Sequence, residues 1–178
     1  VLALWDLVTG RAPVDAVELL FPAVIGPVLV FFSVRGTVPS LGTGEIRSAE
    51  ALVRWEHPER GLLPPGIFLP VAEVSGHMVP LGRYVLEQAC RQVQVWRRTV
   101  PSASALRLAV NVSGRQLMEP DIVDMVQAAL ERSGLPPQAL TLELTETAIV
   151  GAHTHVDAAL AQVRELGVLL ALDDFGTG

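Results

Sequence analysis

Three short apolar runs in the second half of the chain end alike, and this constrains the fold more than any other feature. Leu106-Arg107-Leu108-Ala109-Val110 leads into Asn111, Leu140-Thr141-Leu142 into Glu143, and Val168-Leu169-Leu170-Ala171-Leu172 into Asp173-Asp174. Asn111, Glu143 and Asp173 are 32 and then 30 positions apart. Helical patterns separate the runs: 120–134, with Asp121 at its start and Gly134 as its stop, and 155–167, closed by Gly167. Strand, helix, strand, helix, strand at roughly 30 residues per unit is the pattern of a parallel α/β fold. Strands are expected over 106–112, 139–146 and 168–174, with their polar residues at equivalent places.

Upstream, 45–55 reads as a strand carrying Glu50, placed near the strand's end, and 57–66 as a Pro/Gly-rich loop. Helices are expected at 67–74 and 81–99; in the second, Leu81, Val85, Cys90, Val93 and Trp96 approximate helical spacing. Arg91, Arg97 and Arg98 would snorkel from its outer side. Leu41 to Gly44 reads as a turn. Leu19 to Val34 carries no charge. It is shorter than the roughly 20 residues of a membrane span and is broken by Pro22, Gly26 and Pro27. Its Val28-Leu29-Val30-Phe31-Phe32 core favours one or two buried strands.

In parallel α/β folds the carboxyl ends of the strands line the active site. Glu50, Asn111, Glu143, Asp173 and Asp174 would meet there. Carboxylates packed together repel unless protonated or neutralised by a cation. An all-oxygen set suits hard ions such as Mg²⁺ or Mn²⁺. His57, His77, His153 and His155 are expected in loops or at helix starts, which argues against zinc. Such a site suits phosphate-ester chemistry. Each residue also has a plainer use: a strand-end Asn or Asp can be a cap or turn former, and Glu143 could face solvent from an edge strand.

A net charge of −6 argues against a general binder of nucleic acid polymers. The one cysteine, Cys90, excludes a disulfide framework; it is expected as a buried thiol in a reducing, cytoplasmic compartment. The start of the chain lacks a basic leader.

Four segments, AEALVRWEHPERGLLPPGIFLPVAE (49–73), AVNVSGRQL (109–117), LTLELTET (140–147) and ALDDFGTG (171–178), resemble the ordered motifs of the EAL family of cyclic di-GMP phosphodiesterases. The resemblance covers roughly 41–178. It implies an incomplete TIM-like (β/α)8 barrel of the EAL type with an antiparallel first strand. The domain is expected over 36–178, with 1–35 an unassigned or divergent segment. Glu50, Asn111, Glu143 and Asp173 match the family's metal ligands. Asp174 matches the acidic position serving the second metal and the attacking water, and Glu146 a glutamate that anchors the neighbouring loop. Glu50, Asp174 and Glu146 are thus the catalytic candidates. Arg54 matches an arginine that contacts a substrate phosphate, and Leu52 would pack beside the nucleotide.

The implied reaction is hydrolysis of cyclic di-GMP to linear pGpG with two Mg²⁺ or Mn²⁺ ions. The implied setting is a homodimer with an attached sensory or GGDEF-type domain, in the cytoplasm or tethered to the inner face of the membrane. Two departures stand out. Gly178 precedes the family's later lysine, glutamates and glutamine, so this piece alone is expected to be inactive. The family's first-strand Tyr-Gln-Pro-like segment is replaced by Val34-Arg35-Gly36-Thr37-Val38-Pro39. The alternative is a non-enzymatic cyclic di-GMP receptor or protein-interaction module. The motif order argues against an unrelated barrel enzyme acting on enolates.

Overall fold

A computed structural model describes residues 19–20, 27–35, 47–145 and 154–173. The strands are β1 (Leu19–Leu20), β2 (Pro27–Arg35), β3 (Ser48–His57), β4 (Gly61–Leu63), β5 (Arg107–Val112), β6 (Leu140–Thr145) and β7 (Leu169–Asp173). The helices are α1 (Pro65–Val74), α2 (Met78–Thr99), α3 (Gly114–Leu117), α4 (Ile122–Ser133) and α5 (Thr154–Glu165). One sheet runs β1-β2-β3-β5-β6-β7, with β4 paired to β3.

The expected order of strand, helix, strand, helix, strand is present as β5, α4, β6, α5 and β7. β3, β5, β6 and β7 are mutually parallel neighbours, and β2 lies antiparallel to β3 from Val28↔Trp55 to Arg35↔Ser48. This is the α/β arc of a TIM-like barrel, with β2 as the antiparallel neighbour of its first parallel strand, β3. The charge-free stretch enters the sheet as β1 and β2, and no helix among the described residues is long and apolar enough to cross a membrane. The expected turn at Leu41–Gly44 lies outside the described residues.

One face of the parallel strands is packed under helices. Leu108, Val110, Val112, Leu140, Leu142 and Leu144 are all buried. α2 presents Leu81, Val85, Ala89, Cys90, Val93 and Trp96 to this core, and α4 presents Met125, Val126 and Ala129. Burial pushes the Cys90 thiol up to about 12, with the nearby Glu87 carboxylate acting the same way. Gly134 ends α4 in the left-handed region at φ 69°, its N–H on the Leu130 carbonyl, a backbone that side-chain-bearing residues rarely adopt. Arg83–Asp121 at 2.6 Å and Arg132–Glu87 at 2.9 Å tie α4 to α2.

Several boundaries shift. α1 starts at Pro65, where proline's missing N–H costs nothing and its φ suits a first turn. α2 starts at Met78, since Pro80 in the first turn is tolerated. Arg91 and Arg98 are exposed as expected, but Arg97 is half-buried and donates to the Leu106 carbonyl at 2.6 Å. The 57–66 stretch is not wholly loop: Gly61–Leu63 folds back on Trp55–His57. The turn is closed by the His57 ring, whose Nδ1 accepts from the backbone N–H of Glu59 (3.1 Å) and Arg60 (3.3 Å). His57 is therefore the last residue of β3 rather than a loop residue, and its Nδ1 is occupied by these backbone donors.

Candidate active site

Glu50 is the third residue of β3, not near its end. The placement still works, because β3 does two jobs. Ser48–Ala51 pairs with β5, whereas Trp55–His57 pairs with β4. Glu50 thus sits next to last in the part that belongs to the parallel sheet.

The register explains how distant residues meet. Glu50 lies opposite Ala109, and Asn111 is two residues further along β5. Asn111 lies directly opposite Glu143. Glu143 lies opposite Ala171, with Asp173 two residues beyond it at the end of β7. Side chains alternate faces with a period of two. Glu50, Asn111 and Glu143 therefore share the face opposite to the helices. Each two-residue offset is about 6.6 Å of rise, the stagger expected when tilted strands form a barrel.

The first two are in direct contact. Asn111 Nδ2 donates to Glu50 Oε1 at 3.1 Å, across 61 positions of sequence. Glu50 is buried at 7% exposure, and Oε2 of Glu143 is also shielded from solvent. The described donors are two carboxylates and an amide oxygen, a hard, all-oxygen set that fits Mg²⁺ or Mn²⁺ better than zinc. Among the described residues, no three His, Cys, Asp or Glu form a metal-binding group. Glu146 and Asp174 lie outside the described residues, and Asp173 is placed by its strand register.

Leu52 and Arg54 continue β3 past Glu50 at the same period. Arg54 is half-buried, with Nη1 on the Val53 carbonyl at 2.8 Å. Leu52 lines a cavity of about 330 Å³ shared with Pro65, Leu69, Met78, Leu81 and Asn111. The cavity is lined from α1, α2, the middle of β3 and the end of β5, next to the Glu50–Asn111 pair. Trp55 packs edge-on against Phe68 of α1, with centroids 6.0 Å apart. This fixes α1 over the upper half of β3.

Sequence reasoning missed the one-turn helix α3 directly after β5. Ser113 caps it: its Oγ accepts from Gln116 N at 3.3 Å, and Gln116 Oε1 accepts from Ser113 N at 3.0 Å. The Ser-x-x-Gln pattern of a capping box was the available signal.

The solved PaMucR phosphodiesterase in its c-di-GMP complex is 34% identical in sequence. It superposes with a TM-score of 0.77 over 100% of this chain and 65% of that one. The EAL domain of Mycobacterium smegmatis DcpA is 33% identical at a TM-score of 0.58, over 76% of this chain and 52% of that one. Among curated relatives, the cyclic di-GMP phosphodiesterase PdeR of Escherichia coli is 43% identical over 135 residues, covering 76% of this chain and 20% of PdeR. An uncharacterized Mycobacterium tuberculosis protein is 43% identical over 148 residues, 83% of this chain and 48% of its own length. The chain thus spans half or less of these curated relatives. The EAL domain family model matches residues 37–178. With the motifs, the parallel arc and its antiparallel neighbour all in agreement, the chain belongs to the EAL domain family.

Proposed function

We propose that this chain is part of a cyclic di-GMP phosphodiesterase domain that hydrolyses its substrate to linear pGpG. One observation carries the reading: Glu50 and Asn111 touch across β3 and β5, with Glu143 paired opposite Asn111. The names of PdeR and of the PaMucR complex support the substrate class. Bound Mg²⁺ or Mn²⁺, two ions in our reading, would neutralise phosphoryl oxygens and lower the pKa of a water.

The chain's own groups have separable tasks. Glu50, Asn111, Glu143 and Asp173 would hold the cations, with Asp174 serving the second. The Asn111–Glu50 hydrogen bond orients the amide so that its carbonyl oxygen, rather than its NH₂, is available as a ligand. Asp174 would also orient the attacking water, and Glu146 would anchor the chain segment that follows it. The Arg54 guanidinium suits a phosphate oxygen. Leu52 and the apolar wall around it would exclude water beside the nucleotide. The relatives' much greater length supports a setting with an attached sensory or GGDEF-type domain, and we place a homodimer in the same proposal.

The test is product analysis. The complete gene product, incubated with cyclic di-GMP and Mg²⁺ or Mn²⁺, should release pGpG and should stop when a chelator is added. Absence of turnover with the cations present defeats the enzymatic reading. A second reading, a cyclic di-GMP receptor without turnover, is favoured by Val34-Arg35-Gly36-Thr37-Val38-Pro39 in place of a Tyr-Gln-Pro-like segment. Calorimetry separates the two, since a receptor binds the dinucleotide and leaves it intact.

A further inference from the structure

We infer that Gln116 is a positioning residue for Asn111, acting through Ser113. The inference rests on the reading of Asn111 as a cation ligand. Asn111 is exposed on the open face of β5, so packing does not set its position. Its neighbour Val112 is buried and paired with Leu144, and the strand ends there. The segment leaving β5 at Ser113 therefore decides where the Asn111 amide can reach.

Gln116 is a buried polar side chain, 4% exposed, on a helix of a single turn. Its Oε1 takes two donors from Ser113, the backbone N–H at 3.0 Å and Oγ at 2.9 Å. The other end of the amide is seated against α2 at Gly82. A Cβ built on Gly82 would stand 1.7 Å from Gln116 Nε2 and 2.5 Å from Cδ. Glycine weakens a helix relative to alanine, and here its missing side chain is the space the amide occupies. Beside it, Arg115 Nη1 donates to the Glu73 carbonyl near the end of α1 at 3.0 Å. The exit of β5 is thus pinned to α2 through Gln116 and to α1 through Arg115. Asn111, two residues before Ser113, is held between this clamp and Glu50.

Mn²⁺ titration calorimetry on the complete gene product tests this, alongside thermal melting of the cation-free protein. Gln116→Met keeps the volume against Gly82 and removes the acceptor. It should weaken Mn²⁺ binding by about 10-fold or more, the usual cost of losing a group that orients a ligand, with little change in melting. Ser113→Ala should weaken binding in the same direction, and Ser113→Thr, which keeps the hydroxyl, should bind as the unaltered protein does. The serine pair decides the question if Gln116→Met fails to fold. Wild-type affinity in Gln116→Met and Ser113→Ala overturns the inference, as does Ser113→Thr binding as weakly as Ser113→Ala. Asn111→Ala is the reference. If it binds Mn²⁺ normally, the cation-site reading itself falls and the inference with it. If it alone is weakened, only the positioning role is lost.

Discussion

The two faces of the parallel strands obey different rules although they alternate residue by residue. Toward the helices, Leu108, Val110, Leu140 and Leu142 are at most 2% exposed, and all are aliphatic. Toward the open face, Arg107, Ala109, Asn111, Thr141, Glu143 and Leu169 mix charge, amide, hydroxyl and methyl groups and range from half-buried to exposed. The covered face is held by close packing, where each methylene counts. The open face depends on register, which the covered face enforces, because a slip by one residue would exchange the two sets; polar contacts such as Asn111 to Glu50 add to it. Stability and chemistry are thus written on the same strands in alternate letters.

That division can be broken from either side. Leu142→Ala on the covered face should cost about 2–5 kcal/mol of unfolding free energy by denaturant titration, the usual range for a buried leucine. A loss below about 1 kcal/mol would show that the covered face does not carry the fold. Glu50→Gln on the open face should do the reverse. It retains an acceptor for Asn111 but lacks the charge, so turnover of cyclic di-GMP should fall at least ~100-fold, about 2.7 kcal/mol in barrier, while the denaturation midpoint barely moves. Collapse of the fold in this variant would mean the open face is structural too.

Smaller effects sharpen the boundary between the faces. Ser113→Ala removes a helix cap at the rim and should cost about 1 kcal/mol in stability, between the effects expected at the two faces. Cys90, on the buried face of α2, supplies a pH test. Its folded pKa lies above the ordinary 9.0 at about 12, so the unfolded chain releases this proton first as pH rises. The contribution to stability is full below pH 9 and declines from there toward about 12. At neutral pH the thiol should resist alkylating reagents until the protein unfolds. Rapid labelling of the native protein would contradict its burial.

Much of the covered face was legible from sequence, because aliphatic residues at period two and helical spacing at Leu81, Val85 and Val93 both reflect burial directly. The co-location of Asn111 and Glu143 was legible too, since βα units of similar length bring corresponding residues level. Glu50 was misplaced along its strand for a physical reason: β3 outlasts its pairing with β5 and continues into a hairpin with β4. A sequence shows where extended structure can run, but not where one neighbour is exchanged for another. The hairpin itself was hidden because His57 supplies the turn's acceptor from its ring, a use that residue type does not announce. The seat of Gln116 on Gly82 joins residues 34 positions apart on different helices, and no local pattern encodes it.

The most direct test is an anomalous-difference map at a manganese-sensitive wavelength, from crystals of the gene product grown with Mn²⁺. A peak is expected on the open face of the sheet, within about 2–2.3 Å of oxygens from Glu50, Asn111 and Glu143 together. Density elsewhere, or a cation held by other residues while these three keep their distance, would contradict it.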